Sequence, residues 1–246
     1  MSVVGIDTAS ATASVALVEN GLLIAERTYP ALAATGHPNA SKGRVEHAEI
    51  ILPLVASLFE TTGVRLQDIT GFAVSIGPGS FTGLRIGLST VKGLAYSAKT
   101  PVAGVSTLLA YAARVTDHEG FICPILDARK NEVYAALFRK TSSAVERLIE
   151  DSLTSVGAVI EMVRGLDNGA ACFFVGDGVD IHQRLLLETL GSRAIFEITE
   201  SFSTIAATVA RLGESRFRCN DVDDLGSLIP VYLRPPDAEF KRLSSR

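Results

Sequence analysis

Only 20% of the 246 residues are charged and the net charge is −4, so the chain lacks the basic excess that holds a phosphate backbone. Binding of nucleic acid by this chain alone is therefore disfavoured. Cysteine is scarce: Cys123, Cys172 and Cys219 are odd in number and far apart in sequence, without the close pairs of metal or redox sites. Each reads as a reduced thiol acting as a small buried hydrophobe, as in a reducing compartment. Of the four histidines, His37, His118 and His182 have no partner at ligand spacing. No apolar run reaches the length of a membrane span, and the N-terminus enters a strand-like segment without the basic region and apolar core of a signal peptide. The expectation is a cytoplasmic protein with no membrane contact. What the chain does have is apolar residues: at 47% they supply ample core for one domain or two lobes and exclude disorder of the whole.

Residues 2–7, 12–18 and 22–29 are rich in β-branched residues, and Asn20-Gly21 is a hairpin signal between the last two. They predict three antiparallel strands. Residues 35–44 have no periodicity and read as a mobile loop. A helix follows, with His47, Ile50, Ile51, Leu54, Leu58 and Phe59 on one stripe; Pro53 bends it or sits where one hydrogen bond is dispensable, and Gly63 ends it. Residues 71–76 form a nearly continuous apolar strand, and 82–98 a second helix. The second half repeats this order, with strands at 121–126, 132–139 and 145–149, a helix at 155–164, a strand at 171–175 and a helix at 181–190. Two copies of one βββαβα unit predict two similar α/β lobes, divided near residues 102–106 into 1–105 and 106–246. The segment after Asp221, with Pro230, Pro235 and Pro236, reads as a terminal strand and tail.

The run Ser75-Ile76-Gly77-Pro78-Gly79-Ser80-Phe81-Thr82-Gly83-Leu84-Arg85-Ile86-Gly87-Leu88-Ser89 carries the most specific signal. Gly77 and Gly79 flank a proline of fixed φ, which predicts a tight turn, and Ser80 or Thr82 is placed to cap the following helix. Gly83, Gly87, Thr90 and Ser97 recur at helical spacing, interrupted by Leu94, so one stripe of that helix is mostly small and suits close packing. Together with Asp7-Thr8-Ala9-Ser10, His47 ahead of Ile51-Leu52-Pro53, Asp127-Ala128-Arg129 before Glu132-Val133-Tyr134, and Pro230-Val231-Tyr232-Leu233-Arg234, the run resembles the TsaB (YeaZ) family. Members of that family are the non-catalytic subunits of the bacterial machinery for threonylcarbamoyladenosine in tRNA. The likeness is dense in the first half, thinner afterwards, and returns near the end.

The resemblance implies the two-lobed actin-like ATPase (ASKHA, RNase H-like) fold, and a pseudoenzyme with no catalytic, cofactor or metal residues of its own. It implies TsaD as partner, TsaE acting through the TsaB-TsaD pair, tRNA met only within the complex, and a homodimer as an option when TsaD is absent. The candidate partner interface is His47, Ile51, Gly79, Phe81, Thr82, Gly83, Arg85, Gly87 and Thr90, with Arg85, Ser89 and Lys92 on a more polar side toward TsaE or a nucleotide. The competing reading is that the glycine stripe packs inside its own lobe. Replacing Gly87 with leucine discriminates: lost association with an intact fold supports the interface, and an unfolded chain supports internal packing.

An ATP-dependent enzyme of the actin-like group, such as a small-molecule kinase, is the alternative. Phosphate-binding hairpins of that group need backbone N–H groups without intervening side chains. Here Asp7 leads Thr8-Ala9-Ser10 and Asp127 leads Ala128-Arg129-Lys130-Asn131-Glu132, where glycines are expected. A structural role for both aspartates is the simpler reading. Val175-Gly176-Asp177-Gly178 is explained by a strand-to-helix turn. The two-histidine helix pair that TsaD carries is interrupted, because His47 is followed four residues later by Ile51, which has no lone pair to donate. A hydrolase elbow around Ser80 fails, since Pro78 and Thr82 stand where glycines belong.

Overall fold

The computed structural model describes residues 1–29, 47–196 and 204–234. The loop expected at 35–44 lies outside them. The first three strands are β1 (Ser2–Asp7), β2 (Ala13–Glu19) and β3 (Leu22–Tyr29), paired antiparallel in sequence order. Asn20 and Gly21 both take positive φ, at 49° and 82°, the backbone that a two-residue hairpin of this twist requires. Helix α1 (His47–Thr62) leads to β4 (Gly71–Gly77), which pairs parallel with β1; α2 (Phe81–Ala98) leads to β5 (Val102–Ser106) on the outer side. The sheet order is β3-β2-β1-β4-β5.

Alternation sends Val4, Ile6, Val15, Leu17, Phe72 and Val74 to one face, where Ile51, Val55 and Leu58 of α1 and Leu88 and Val91 of α2 cover them. Each fully buried aliphatic side chain of this kind contributes about 1.5–3 kcal/mol. Pro53 sits inside α1 on its exposed side, where the carbonyl that proline leaves without a donor has access to water. The opposite face is closed by a helix from far along the chain, α6 (Ala206–Arg218), with α3 (Thr107–Arg114) beside it. That contact is built from small residues. A Cβ on Gly5 would overlap the Ala206 carbonyl, one on Gly213 would overlap the Ala73 side chain, and Ala16 packs against Ala206 and Ala207.

The second half holds β6 (Gly120–Asp127), β7 (Glu132–Lys140), β8 (Val145–Ser155), α4 (Val156–Arg164), β9 (Cys172–Val175), α5 (Gly178–Leu190) and β10 (Ala194–Phe196). Its sheet order, β10-β9-β6-β7-β8, is that of the first sheet read from the other edge. The duplicated βββαβα unit expected from element order is therefore present, with each copy adding a short fifth strand. Helices α4 and α5 bury Val159, Ile160, Val163, Leu186 and Leu190 against Cys123, Ile125, Val133, Leu137 and Phe174.

The division of the chain differs from the expected 1–105 and 106–246. One compact unit comprises the described parts of Met1–Thr116 and Glu197–Pro230, the other those of Asp117–Phe196 and Val231–Arg246. Residues 102–106, expected as the boundary, are strand β5, and α6 returns to the first sheet because its alanine and glycine face matches the small residues there. In its described residues, up to Arg234, the segment after Asp221 forms a single bridge, Val102 to Asp223, instead of the expected strand. Two expectations about cysteine also change. All three are free, but Cys219 is exposed. Cys123 and Cys172 lie on the neighbouring strands β6 and β9, and burial, with the neighbouring Cys123 thiol adding to it, pushes the Cys172 thiol well above its ordinary range. Among the described residues no helix is long and apolar enough to cross a membrane.

Candidate functional site

The glycine run makes its close approach to the chain's own first hairpin. Ser80 donates its backbone N–H to the Ala9 carbonyl at 2.7 Å, and a Cβ on Gly79 would overlap that same carbonyl. The Ser80 hydroxyl accepts the Gly83 N–H at 3.2 Å, so it is the cap of α2, and Thr82 is not. One turn on, Thr8 donates its hydroxyl to the Gly83 carbonyl at 2.7 Å, and a Cβ on Gly87 would run into Thr8 Oγ1. The first turns of α2 thus rest on the end of β1, and glycine is needed because no side chain fits between them.

Four of the nine candidate interface residues are accounted for by these internal contacts. Gly79, Gly83 and Gly87 lie against the β1–β2 connection, and Ile51 is 1% exposed in the core under α1. His47 opens α1. Thr82 and Arg85 are exposed, Thr90 is half-buried, and half-buried Phe81 carries the Arg85 guanidinium 3.9 Å over its ring. The exposed faces of the two packed helices also hold residues that the small stripe did not include. On α1 these are Leu52, 54% exposed, and Ala56; on α2 they are Ser89, Gly93 and Tyr96, the last 78% exposed. A Cβ on Gly93 would meet nothing within 4 Å. Gly93 therefore has no packing reason among the described residues, although glycine in a helix interior costs about 1 kcal/mol relative to alanine. The signal for this face was available as the complement of the core stripe: positions 52 and 56 fall between the buried positions of α1.

Asp7 is buried, and its Oδ1 accepts the Ala9 N–H at 3.1 Å and the Ser75 hydroxyl. That is a structural arrangement of strand ends. In the second unit Asp127 Oδ1 accepts the Arg129 N–H at 2.8 Å, and Asp127 donates its own N–H to Asp177 Oδ1 at 3.0 Å. Arg129, Lys130 and Asn131 all take φ near +60°, so the turn adopts glycine's conformation while carrying three side chains. Gly176 and Gly178 lie against the Ile125 carbonyl, where a Cβ would collide, which makes the β9–α5 turn another close backbone approach. Burial raises the Asp177 carboxyl above its ordinary value, against the Asp127 N–H bond that lowers it. Two carboxylates at this turn repel a phosphate. Among the described residues no three His, Cys, Asp or Glu side chains are gathered as metal ligands.

The family model for TsaD, tRNA N6-adenosine threonylcarbamoyltransferase, matches residues 39–240. The tRNA threonylcarbamoyladenosine biosynthesis protein TsaB of Bacillus subtilis (strain 168) is 29% identical over 247 residues, the full length of both chains. TsaB of Escherichia coli (strain K12) is 36% identical over 147 residues, covering 59% of this chain and 58% of that one. Among solved structures, YeaZ from Pseudomonas aeruginosa superposes with a TM-score of 0.73 at 24% identity, over 94% of this chain and 99% of that one. The duplicated topology is the actin-like arrangement.

Proposed function

The chain belongs to the threonylcarbamoyltransferase family, on its TsaB (YeaZ) side, and from that premise we propose that it serves threonylcarbamoyladenosine biosynthesis in tRNA as a non-catalytic subunit that binds and organises TsaD. In this reading TsaD carries out the threonylcarbamoyl transfer to the adenosine beside the anticodon, TsaE acts on the assembled pair, and tRNA meets this chain only within the complex. The work belongs in the cytoplasm. A single observation carries the proposal: Gly93 stands mid-helix in open space, on a face that also exposes Tyr96 and Ser89, beside a helix that exposes Leu52. A glycine that weakens its own helix without an internal contact is accounted for by a partner backbone that comes close there. Thr82, Arg85 and Thr90 extend that face along α2, and the start of α1 at His47 adjoins it in sequence to Leu52. The buried Gly83 and Gly87 support it from below. In the absence of TsaD the same face pairs with a second copy.

The carboxylates at the Asp127 turn and the side chains filling both hairpins support a subunit without nucleotide chemistry of its own. The test is co-purification with TsaD from the same cell, followed by transfer onto unmodified tRNA with each protein alone and with both. Activity that needs both, with none from this chain alone, is the expected result. Absence of a complex, together with ATP turnover by this chain alone, overturns the proposal in favour of an actin-like kinase.

A further inference from the structure

Residues 221–234 belong to neither sheet, and each end of this stretch is held by side-chain contacts of its own. At the near end Asp223 bridges to Val102, and its carboxylate accepts the Gly104 N–H at 2.7 Å. Arg216 of α6 donates to Asp221, Asp223 and the Gly104 carbonyl, each at about 2.8 Å. Leu225 and Leu228 pack on the first core. At the far end Arg234, 13% exposed, donates from Nη1 to the Ala128 carbonyl and from Nη2 to the Glu132 carboxylate. Ile229, Val231 and Tyr232 are exposed between the two ends.

Ala128 and Glu132 bracket the three left-handed residues of the β6–β7 turn. Within the turn, Ala128 donates its N–H to the Glu132 carbonyl at 3.0 Å, and Glu132 donates its own to the Arg129 carbonyl at 3.1 Å. Three consecutive non-glycine residues in that conformation are unfavourable on their own. The guanidinium reaches both sides of the run at once, which requires the turn to be closed, and charge-assisted bonds from a largely buried arginine are stronger than neutral ones.

We propose that Arg234 latches the β6–β7 turn, so that order in residues 128–132 depends on its guanidinium. Hydrogen exchange on the full chain tests this, comparing the parent with Arg234→Gln and Glu132→Gln. The expected result is exchange at 128–132 at least tenfold faster in both variants, with α4, α5 and the strands of the second sheet unchanged. Unchanged exchange at 128–132 in Arg234→Gln overturns the latch, and so does a uniform rise across the whole second unit.

Discussion

Gly87 and Gly93 stand six residues apart on α2, and leucine at each has opposite expected consequences. A side chain at Gly87 collides with Thr8 Oγ1 and threatens the Thr8 to Gly83 hydrogen bond. Overpacking costs about 1–3 kcal/mol, and a buried carbonyl left without its donor about 1–3 more. With roughly 2–4 °C of melting temperature per kcal/mol in a protein of this size, Gly87→Leu lowers the melting point of the isolated chain by about 4–24 °C. At Gly93 the new side chain enters open space and the helix gains propensity, so Gly93→Ala raises stability by about 0.5–1 kcal/mol and Gly93→Leu leaves it equal or higher. Thermal melts by circular dichroism give the stability arm, and titration calorimetry with TsaD gives the association arm. Gly93→Leu is expected to weaken association at least 100-fold while the isolated chain stays folded. If Gly93→Leu binds TsaD as the parent does, the exposed face of α2 is not the interface; if Gly87→Leu melts like the parent, the contact with Thr8 is misassigned.

Three further outcomes follow from other parts of the molecule. The Asp177 carboxyl has a folded pKa above its unfolded value of about 3.9, so the folded chain holds a proton that the unfolded chain releases between the two, and stability falls as pH rises through that window. Asp177→Asn keeps an oxygen to accept the Asp127 N–H, and is expected to be more stable than the parent at pH 7 but not at pH 4; denaturant titrations at both values check it. Gly5→Ala pushes a methyl group into the Ala206 carbonyl and is expected to cost about 1–3 kcal/mol or more, read by urea unfolding, whereas an unchanged midpoint contradicts the packing of α6 on β1. Asp7→Ala removes the acceptor for Ala9 and Ser75, costing about 1–3 kcal/mol, and leaves no ATPase activity to lose; sustained Mg-ATP hydrolysis by the parent that vanishes in the variant would falsify the structural role of Asp7.

The regular elements were legible because their signals are local. Asn20-Gly21 between β-branched runs, and the period of Ile51, Leu54 and Leu58, mark β2, β3 and α1 to within a residue. The repeat of element order carried over into identical strand orders. The small stripe of α2 was visible too, but not its neighbour, since Gly87 and Gly93 are the same residue type and only the position of Thr8 distinguishes them. Long-range events left no mark in the order of elements: the return of α6 across the first sheet, the meeting of Cys123 with Cys172, and the reach of Arg234 to Ala128 all join segments tens of residues apart. The helical face with Leu52 and Tyr96 was written in the sequence as the positions left over once the core stripe is removed.

The place of α6 bears on how the protein is made. The sheet formed by β1 to β5 is complete in sequence by Ser106, but the helix that covers the Gly5, Ala16 and Ala73 side is not synthesised until residue 218. During translation that face waits through the whole of the second sheet, whose own strands and helices are complete by Phe196. The later half is therefore complete in sequence before the earlier one is, and a nascent chain stalled before residue 206 carries a first unit with only α3 on that face, the form that chaperones and proteases recognise.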